Sequence, residues 1–191
     1  MPVIIAGFPW IYIFLGGFIT ILFLPIIWIS LYEYQKQRIL TLFNPEADIY
    51  GAGWNIVQSK IAVGSGGLFG KGFLNGSQSQ LNFIPESHSD FIFSVVAEEF
   101  GLLGVCILFL IYGILIYRLL LVSIYSPNKF AKIVSGTLSI ILLAYISINI
   151  SMVIGLLPVV GMPLPFLSQG GTALIVNLLT IGIILSLRKE V

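Results

Sequence analysis

The sequence predicts an all-α integral membrane protein with about four transmembrane helices and a long extracytoplasmic loop between the first and second. Hydrophobic residues make up 58% of the 191 residues and charged residues only 9%, and the mean hydropathy is +1.05. Soluble domains carry about 25% charged residues. The net charge of +1 does not indicate a nucleic-acid partner. Cys106 is the single cysteine, so no disulfide can form within the chain.

The spans follow from the apolar runs, because a helix needs about 20 such residues to cross the hydrocarbon core. We expect one membrane domain over residues 1–191, with an outer loop over 32–90. The predicted spans cover residues 10–31, 91–118, 133–155 and 170–187.

The basic residues of the short loops predict the orientation, since cytoplasmic loops are enriched in Lys and Arg. Lys129 and Lys132 lie between the second and third spans with Arg118 at the edge, and Arg188 and Lys189 follow the fourth span. These segments are therefore expected in the cytoplasm, which places the N-terminus inside and the 32–90 loop outside.

Two helical stretches are expected within the outer loop. Residues 32–38 read as a continuation of the first span out of the bilayer, and residues 54–62 as an interfacial helix. A glycine segment, residues 64–76, follows with access to unusual backbone angles. It lacks the pattern of a nucleotide-binding P-loop. It is interpreted either as a flexible loop or as backbone amides that, with Lys71, contact a phosphate or sugar.

Asp90 is the first candidate for chemistry. It precedes the second span, where the helix dipole favours a negative charge, so a helix-capping role is one interpretation. The alternative is a general base or metal ligand at the water–lipid boundary, with Glu86 and His88 close enough in sequence to tune it or share a cation.

Glu98 is a second acidic candidate, because carboxylates bordering a membrane core are functional candidates by default. It is eight residues from Asp90, and a continuous helix would place both on nearly one face. A buried structural or substrate-facing role is expected. Solvation at the headgroup level is the alternative.

A proline-rich segment, residues 157–171, separates the third and fourth spans. Three prolines forbid a regular helix, and irregular backbone at membrane depth must be buried in protein or line a wet cavity. Ser168 is expected to cap the fourth span, and the amides of Gly170 and Gly171 either bind an anion or belong to a tight re-entrant connector. Asn149 and Asn177, inside spans, are interpreted as interhelical hydrogen-bonding residues.

Two stretches resemble the SEDS family (shape, elongation, division and sporulation): GSGGLFGKGFLNGSQSQLNFIPESHSDFIFSVVAEEFGLLG and GLLPVVGMPLPFLSQGG. The elongation branch of the family is favoured by residues 78–81 and 158–161. The resemblance covers nearly all of the chain.

The resemblance implies a peptidoglycan glycosyltransferase that polymerises lipid II for cell-wall elongation, on the outer face of the bacterial cytoplasmic membrane. The family's essential aspartate maps onto Asp90, in the stretch His88–Phe91. The implied substrates are lipid II and the undecaprenyl-pyrophosphate-linked glycan, the implied partner is a class B penicillin-binding protein, and the implied cofactor is a divalent cation, Mg or Mn.

The chain is shorter than full-length SEDS proteins and is expected to be a truncated or split form, whose N-terminal half could be a separate chain. Two other functions are retained at this point. One is a flippase of lipid-linked precursors, and the other is a non-catalytic fragment that docks on a partner.

Overall fold

The computed structural model describes residues 10–45, 51–80, 83 and 88–188. These residues form helices and no strands, which confirms the all-α class. The helices are α1 (Trp10–Ser30), α2 (Glu33–Phe43), α3 (Ala52–Ser65), α4 (Ser77–Gln80), α5 (Ile92–Tyr125), α6 (Lys129–Val153) and α7 (Gly171–Ser186).

The predicted spans correspond in position to α1, α5, α6 and α7. Of the described helices, α5 and α6 are each long and apolar enough to cross a membrane alone. The bent pair formed by α1 and α2 passes the same test together, and it adds a third span only if the two helices form one broken span instead of a re-entrant loop. The 16 residues of α7 are fewer than the roughly 20 that a perpendicular crossing needs. The count of four spans therefore stays a prediction.

α2 does not continue α1, contrary to the expectation for residues 32–38. The two helices meet at 114°, because Tyr32 adopts an extended conformation (φ −64°, ψ 152°). Its backbone N–H donates to Oε1 of Gln35 at 3.0 Å. This bond caps a new helix and replaces the hydrogen bond that a continuous helix would supply.

The core lies between α5 and α6, which are joined by a short turn that Asn128 caps by accepting the N–H of Phe130. Buried side chains recur every three or four residues on both helices, as expected for helix packing: Leu108, Tyr112, Ile116 and Leu119 on α5, and Leu142, Ile146 and Val153 on α6. α3, in the region predicted as an interfacial helix, buries Ile56, Ser59 and Ala62, and the Ser59 hydroxyl donates to the carbonyl of Val153 at 2.8 Å.

Candidate active site

Residues 88–91 form a turn immediately before α5, and Asp90 lies in this turn. Phe91 is the N-cap residue of α5 and is buried. Asp90 therefore lies one residue outside the helix, half-buried. The expected helical alignment of Asp90 with Glu98 is wrong for this reason, and Asp90 does not occupy the capping position.

Each main-chain carbonyl of the 88–91 turn accepts a hydrogen bond. The His88 carbonyl accepts from the Gln169 amide at 2.9 Å, and the Ser89 carbonyl from the Ser168 hydroxyl at 2.6 Å. The remaining two accept from Asn149 Nδ2 at 2.8 Å and from the Ser94 amide at 2.9 Å. A turn whose main-chain carbonyls are all paired fixes the backbone from which the Asp90 side chain projects.

Asn149 joins this turn to the connection between α6 and α7. Its side chain is completely buried, and Nδ2 donates to the carbonyls of Asp90 and Met162, at 2.8 and 2.6 Å. Asn149 was interpreted as interhelical hydrogen-bonding, but it clamps two irregular segments. An asparagine inside a span predicts a hydrogen bond, but the sequence does not show which groups accept it.

We call residues 154–170 the proline loop. Its buried part includes Leu164 and Pro165, and the Pro165 carbonyl accepts the Tyr112 hydroxyl at 2.6 Å. The loop is thus held within the protein, as irregular backbone at membrane depth requires. A methyl group placed on Gly161 would lie 3.4 Å from Oδ2 of Asp90, so this part of the loop borders the carboxylate.

Ser168 does not cap α7, contrary to expectation. The N-cap is Gly170, with no side-chain cap. The Ser168 hydroxyl accepts the Leu164 amide at 2.6 Å while donating to Ser89, so it closes the proline loop onto the 88–91 turn. Gly170 and Gly171 begin α7, and their role in anion binding stays a prediction.

Two cationic side chains that the sequence did not single out contact the proline loop. Arg38 on α2 donates from Nη1 to the Val159 carbonyl at 3.0 Å, and the Lys60 side chain lies directly over Gly155. Both side chains are exposed. The seven residues from Gly155 to Gly161 therefore carry contacts to two cations and border one carboxylate. Because Arg38 and Lys60 lie 52 and 30 residues before Asp90, the sequence does not reveal this arrangement.

Glu98 and Lys71 form a separate cluster beside α4. Glu98 is fully buried, and Oε1 accepts from Lys71 Nζ at 2.7 Å and from the Ser77 hydroxyl at 3.1 Å. The Gln78 amide donates to both carboxylate oxygens, at 3.1 and 3.2 Å. An ammonium and two neutral donors stabilise the ionised form of this carboxylate. The geometry supports the structural interpretation of Glu98.

The glycine segment is hydrogen-bonded to a break in α5 at Gly101, whose angles (φ 63°, ψ −161°) are not helical. The amides of Lys71 and Gly72 donate to the carbonyls of Glu98 and Glu99, both at 3.0 Å. In return, the amides of Leu102 and Leu103 donate to the carbonyls of Gly67 and Leu68, at 2.9 and 3.1 Å. These amides are thus hydrogen-bonded within the protein, and the role of Lys71 in contacting a phosphate or sugar stays a prediction.

Glu86 and His88 are the remaining candidate residues of this region. Glu86 lies outside the described residues. The His88 side chain is exposed. The described part of the chain contains no group of three or more His, Cys, Asp and Glu side chains that could hold a metal ion.

Apolar helices around a fixed, carboxylate-bearing turn define a helical membrane protein with a polar site among its connecting segments. The whole chain, residues 1–191, matches the model of the FtsW/RodA/SpoVE family, described as "Cell cycle protein". The chain belongs to this family.

Curated relatives agree with this assignment. The chain is 48% identical over 187 residues to "Peptidoglycan glycosyltransferase MrdB" of Escherichia coli strain K12, which covers 97% of this chain and 50% of the relative. It is 39% identical over 158 residues to "Peptidoglycan glycosyltransferase RodA" of Treponema pallidum, covering 82% of this chain and 36% of the relative. The chain therefore spans half or less of the length of these relatives.

A solved structure has the same fold. It is described as "Structural coordination of polymerization and crosslinking by a peptidoglycan synthase complex" and superposes with a TM-score of 0.78 at 29% identity. The match covers 98% of this chain and 52% of that one.

Proposed function

We propose that this chain carries the Asp90-containing half of a peptidoglycan glycosyltransferase that polymerises lipid II for cell-wall elongation. The observation that carries the proposal is the 88–91 turn, in which every carbonyl is hydrogen-bonded and Asp90 borders the proline loop. Relatives named peptidoglycan glycosyltransferases supply the reaction class.

In the proposed reaction, the Asp90 carboxylate accepts the proton of a sugar hydroxyl of lipid II. The hydroxyl oxygen forms a bond to the anomeric carbon of the lipid-linked glycan, and the bond from that carbon to the pyrophosphate oxygen breaks. Undecaprenyl pyrophosphate leaves with the bonding electrons. A positioned base of this kind contributes about 10²–10⁴-fold to a rate.

Arg38 and Lys60 are placed to bind the pyrophosphate. Arg38 contacts the proline loop at Val159 and Lys60 contacts it at Gly155, while Gly161 of the same loop borders Asp90. Both cationic side chains are exposed. Fixed positive charge stabilises negative charge that develops on a leaving group. The guanidinium of Arg38 keeps donors free beyond the one directed at Val159, since it carries five N–H groups.

The family resemblance also implies a divalent cation, for which Asp90 is the candidate ligand. Asp90 is the described carboxylate bordering the proline loop, and a set of three protein donors is not present among the described residues.

We further propose a single membrane domain with four spans in the bacterial cytoplasmic membrane and the 32–90 segment on the outer face. The Lys and Arg residues between α5 and α6 and after α7 support this orientation. The partners would be a class B penicillin-binding protein and a chain that supplies the remaining half. The first is supported by the solved complex of polymerisation and crosslinking.

The flippase alternative receives less support. A polar path through the bilayer would need several free polar groups at mid-depth. At Asn149 both N–H groups donate to main-chain carbonyls, which leaves only Oδ1 of this side chain without a hydrogen-bond partner among the described residues.

The test is polymerisation of lipid II supplied only on the outer face of proteoliposomes. The chain is assayed alone and with a separately expressed portion of E. coli MrdB that this chain does not match. We expect glycan strands from at least one arrangement, and at least about a hundredfold lower rate for Asp90→Asn. Glu33→Gln, on an exposed carboxylate of α2, is the matched control.

The outcomes separate the two parts of the proposal. Undiminished polymerisation by Asp90→Asn would show that the reaction does not use this carboxylate. No polymer in either arrangement, with lipid II translocated inward, would favour the flippase.

A further inference from the structure

A cavity of about 510 Å³ lies at the opposite end of the helices from the 88–91 turn. It is bordered by the last turns of α5, the following Ser126–Pro127 segment, and the end of α7. It belongs neither to the Asp90 site nor to the Glu98 cluster. Its volume falls within the range of ligand pockets, about 300–1,000 Å³.

Two arginines line this cavity, Arg118 from α5 and Arg188 from the end of α7. Both are exposed, and neither guanidinium group has a hydrogen bond or ion pair within the described part of the chain. The Ser126 hydroxyl, also in the lining, is buried and has no hydrogen-bond partner among the described residues. The cavity thus offers two guanidiniums and one hydroxyl to an anion.

The rest of the lining is mainly apolar and includes Leu121, Val122 and Leu185. Leu185 is 50% exposed, and Tyr125 at the rim is 76% exposed. In a membrane-spanning bundle these surfaces face acyl chains, and an exposed tyrosine marks the interface. A ligand that matches this lining has an anionic head and an apolar body.

The geometry points to a binding site for an anionic phospholipid of the cytoplasmic leaflet, with the phosphodiester between Arg118 and Arg188. This inference goes beyond the proposed glycosyl transfer and depends only on the proposed orientation. Arginine pairs with phosphate through two parallel hydrogen bonds. Basic pockets between spanning helices on the cytoplasmic side bind such headgroups.

The dipoles of α5 and α7 oppose the binding of an anion in this cavity, but their negative charge is smaller than the positive charge of the two arginines. α5 and α7 both end at the cavity, and each C-terminus contributes roughly −0.5 of an elementary charge. The two guanidiniums contribute +2, which leaves a net positive site. A free phosphate would interact only with this positive charge, whereas the acyl chains of a phospholipid would also cover the leucine side chains of the lining.

The test is native mass spectrometry of the delipidated chain titrated with cardiolipin, phosphatidylglycerol and phosphatidylethanolamine. Glycerol phosphate serves as the soluble probe. We expect anionic lipids to bind the wild-type chain, and Arg118→Gln with Arg188→Gln to weaken binding at least about tenfold. Lys129→Gln with Lys132→Gln is the matched control, because it removes the same charge from the same end without changing the lining.

A second variant, Val122→Trp, fills the cavity with both arginines intact and is expected to displace the lipid. Equal loss in the arginine and lysine variants would overturn the site in favour of diffuse charge attraction. Glycerol phosphate binding as tightly as the lipids would also overturn it, since the cavity would then be a site for free phosphate. Unchanged lipid binding in both the arginine variant and Val122→Trp would remove the site altogether.

Discussion

Gly101→Ala tests the connection between the glycine segment and α5. Gly101 has φ 63° and ψ −161°, a region that is essentially restricted to glycine and is strained by about 1–3 kcal/mol for other residues. A methyl group there would also lie 2.8 Å from the carbonyl carbon and oxygen of Leu68 and would overlap the Gly70 amide. Alanine cannot be added without moving one of the two segments.

The alternative is that α5 straightens at alanine, which also has a calculable cost. Straightening would restore two helical hydrogen bonds, from Leu102 to Glu98 and from Leu103 to Glu99. It would break the four bonds that now join the two segments, a net loss of two at about 1 kcal/mol each. We therefore expect Gly101→Ala to lower the free energy of unfolding by about 2–4 kcal/mol by either route.

Gly113→Ala is the control in the same helix. A methyl group there meets no atom within 4 Å, so alanine should stabilise the helix by about 0.5–1 kcal/mol. The two free energies are measured by denaturant unfolding in micelles, and hydrogen exchange reports the amides of Leu102 and Leu103. Equal stability of the two variants, with these amides still protected in Gly101→Ala, would refute the reasoning.

Three further predictions concern single side chains. Lys71→Met should destabilise more than Glu98→Gln in denaturant unfolding, because the fully buried Glu98 carboxylate would lose its only counter-ion among the described residues, whereas Lys71 is 30% exposed and can reach water. A larger loss for Glu98→Gln would contradict this. Asn149→Ala should lose about 2–4 kcal/mol, because it leaves the Asp90 and Met162 carbonyls unpaired, whereas Asn177→Ala, measured in parallel, should lose less than about 1 kcal/mol. Ser168→Ala should slow lipid II polymerisation by releasing the 88–91 turn, and a rate equal to wild type would show that this bond is dispensable.

The helices could be predicted because each depends on local sequence. Uncharged runs located α1, α5, α6 and α7 to within a few residues at most boundaries, and the helix over 54–62 was also found. The bend at Tyr32 was missed, because the residues that follow it, from Glu33 to Arg38, suit a helix and give no sign that its direction changes.

The site was only partly predictable, because its geometry depends on contacts between distant segments. The resemblance selected Asp90, but no spacing rule connects Arg38 or Lys60 with a loop about 100 residues further along the chain. The glycines were recognised as conformationally free. Their partner was not, because the break at Gly101 lies inside a sequence that reads as continuous helix.

In the hydrogen bonds that position the site, the acceptors belong to the main chain and most donors belong to side chains. The acceptors are main-chain carbonyls, at His88, Ser89, Asp90, Val159, Met162 and Pro165. Most donors are side chains, from Tyr112, Asn149, Ser168 and Arg38. Every residue type supplies a carbonyl, so replacing an acceptor residue preserves its hydrogen bond unless the new side chain changes the backbone. Replacing a donor removes the bond and leaves a buried carbonyl unpaired, which costs about 1–3 kcal/mol. The fixed shape of the site therefore depends on a few polar side chains that act as donors, one of which, Ser168, lies in the proline loop itself, and less on the residues that supply the carbonyls.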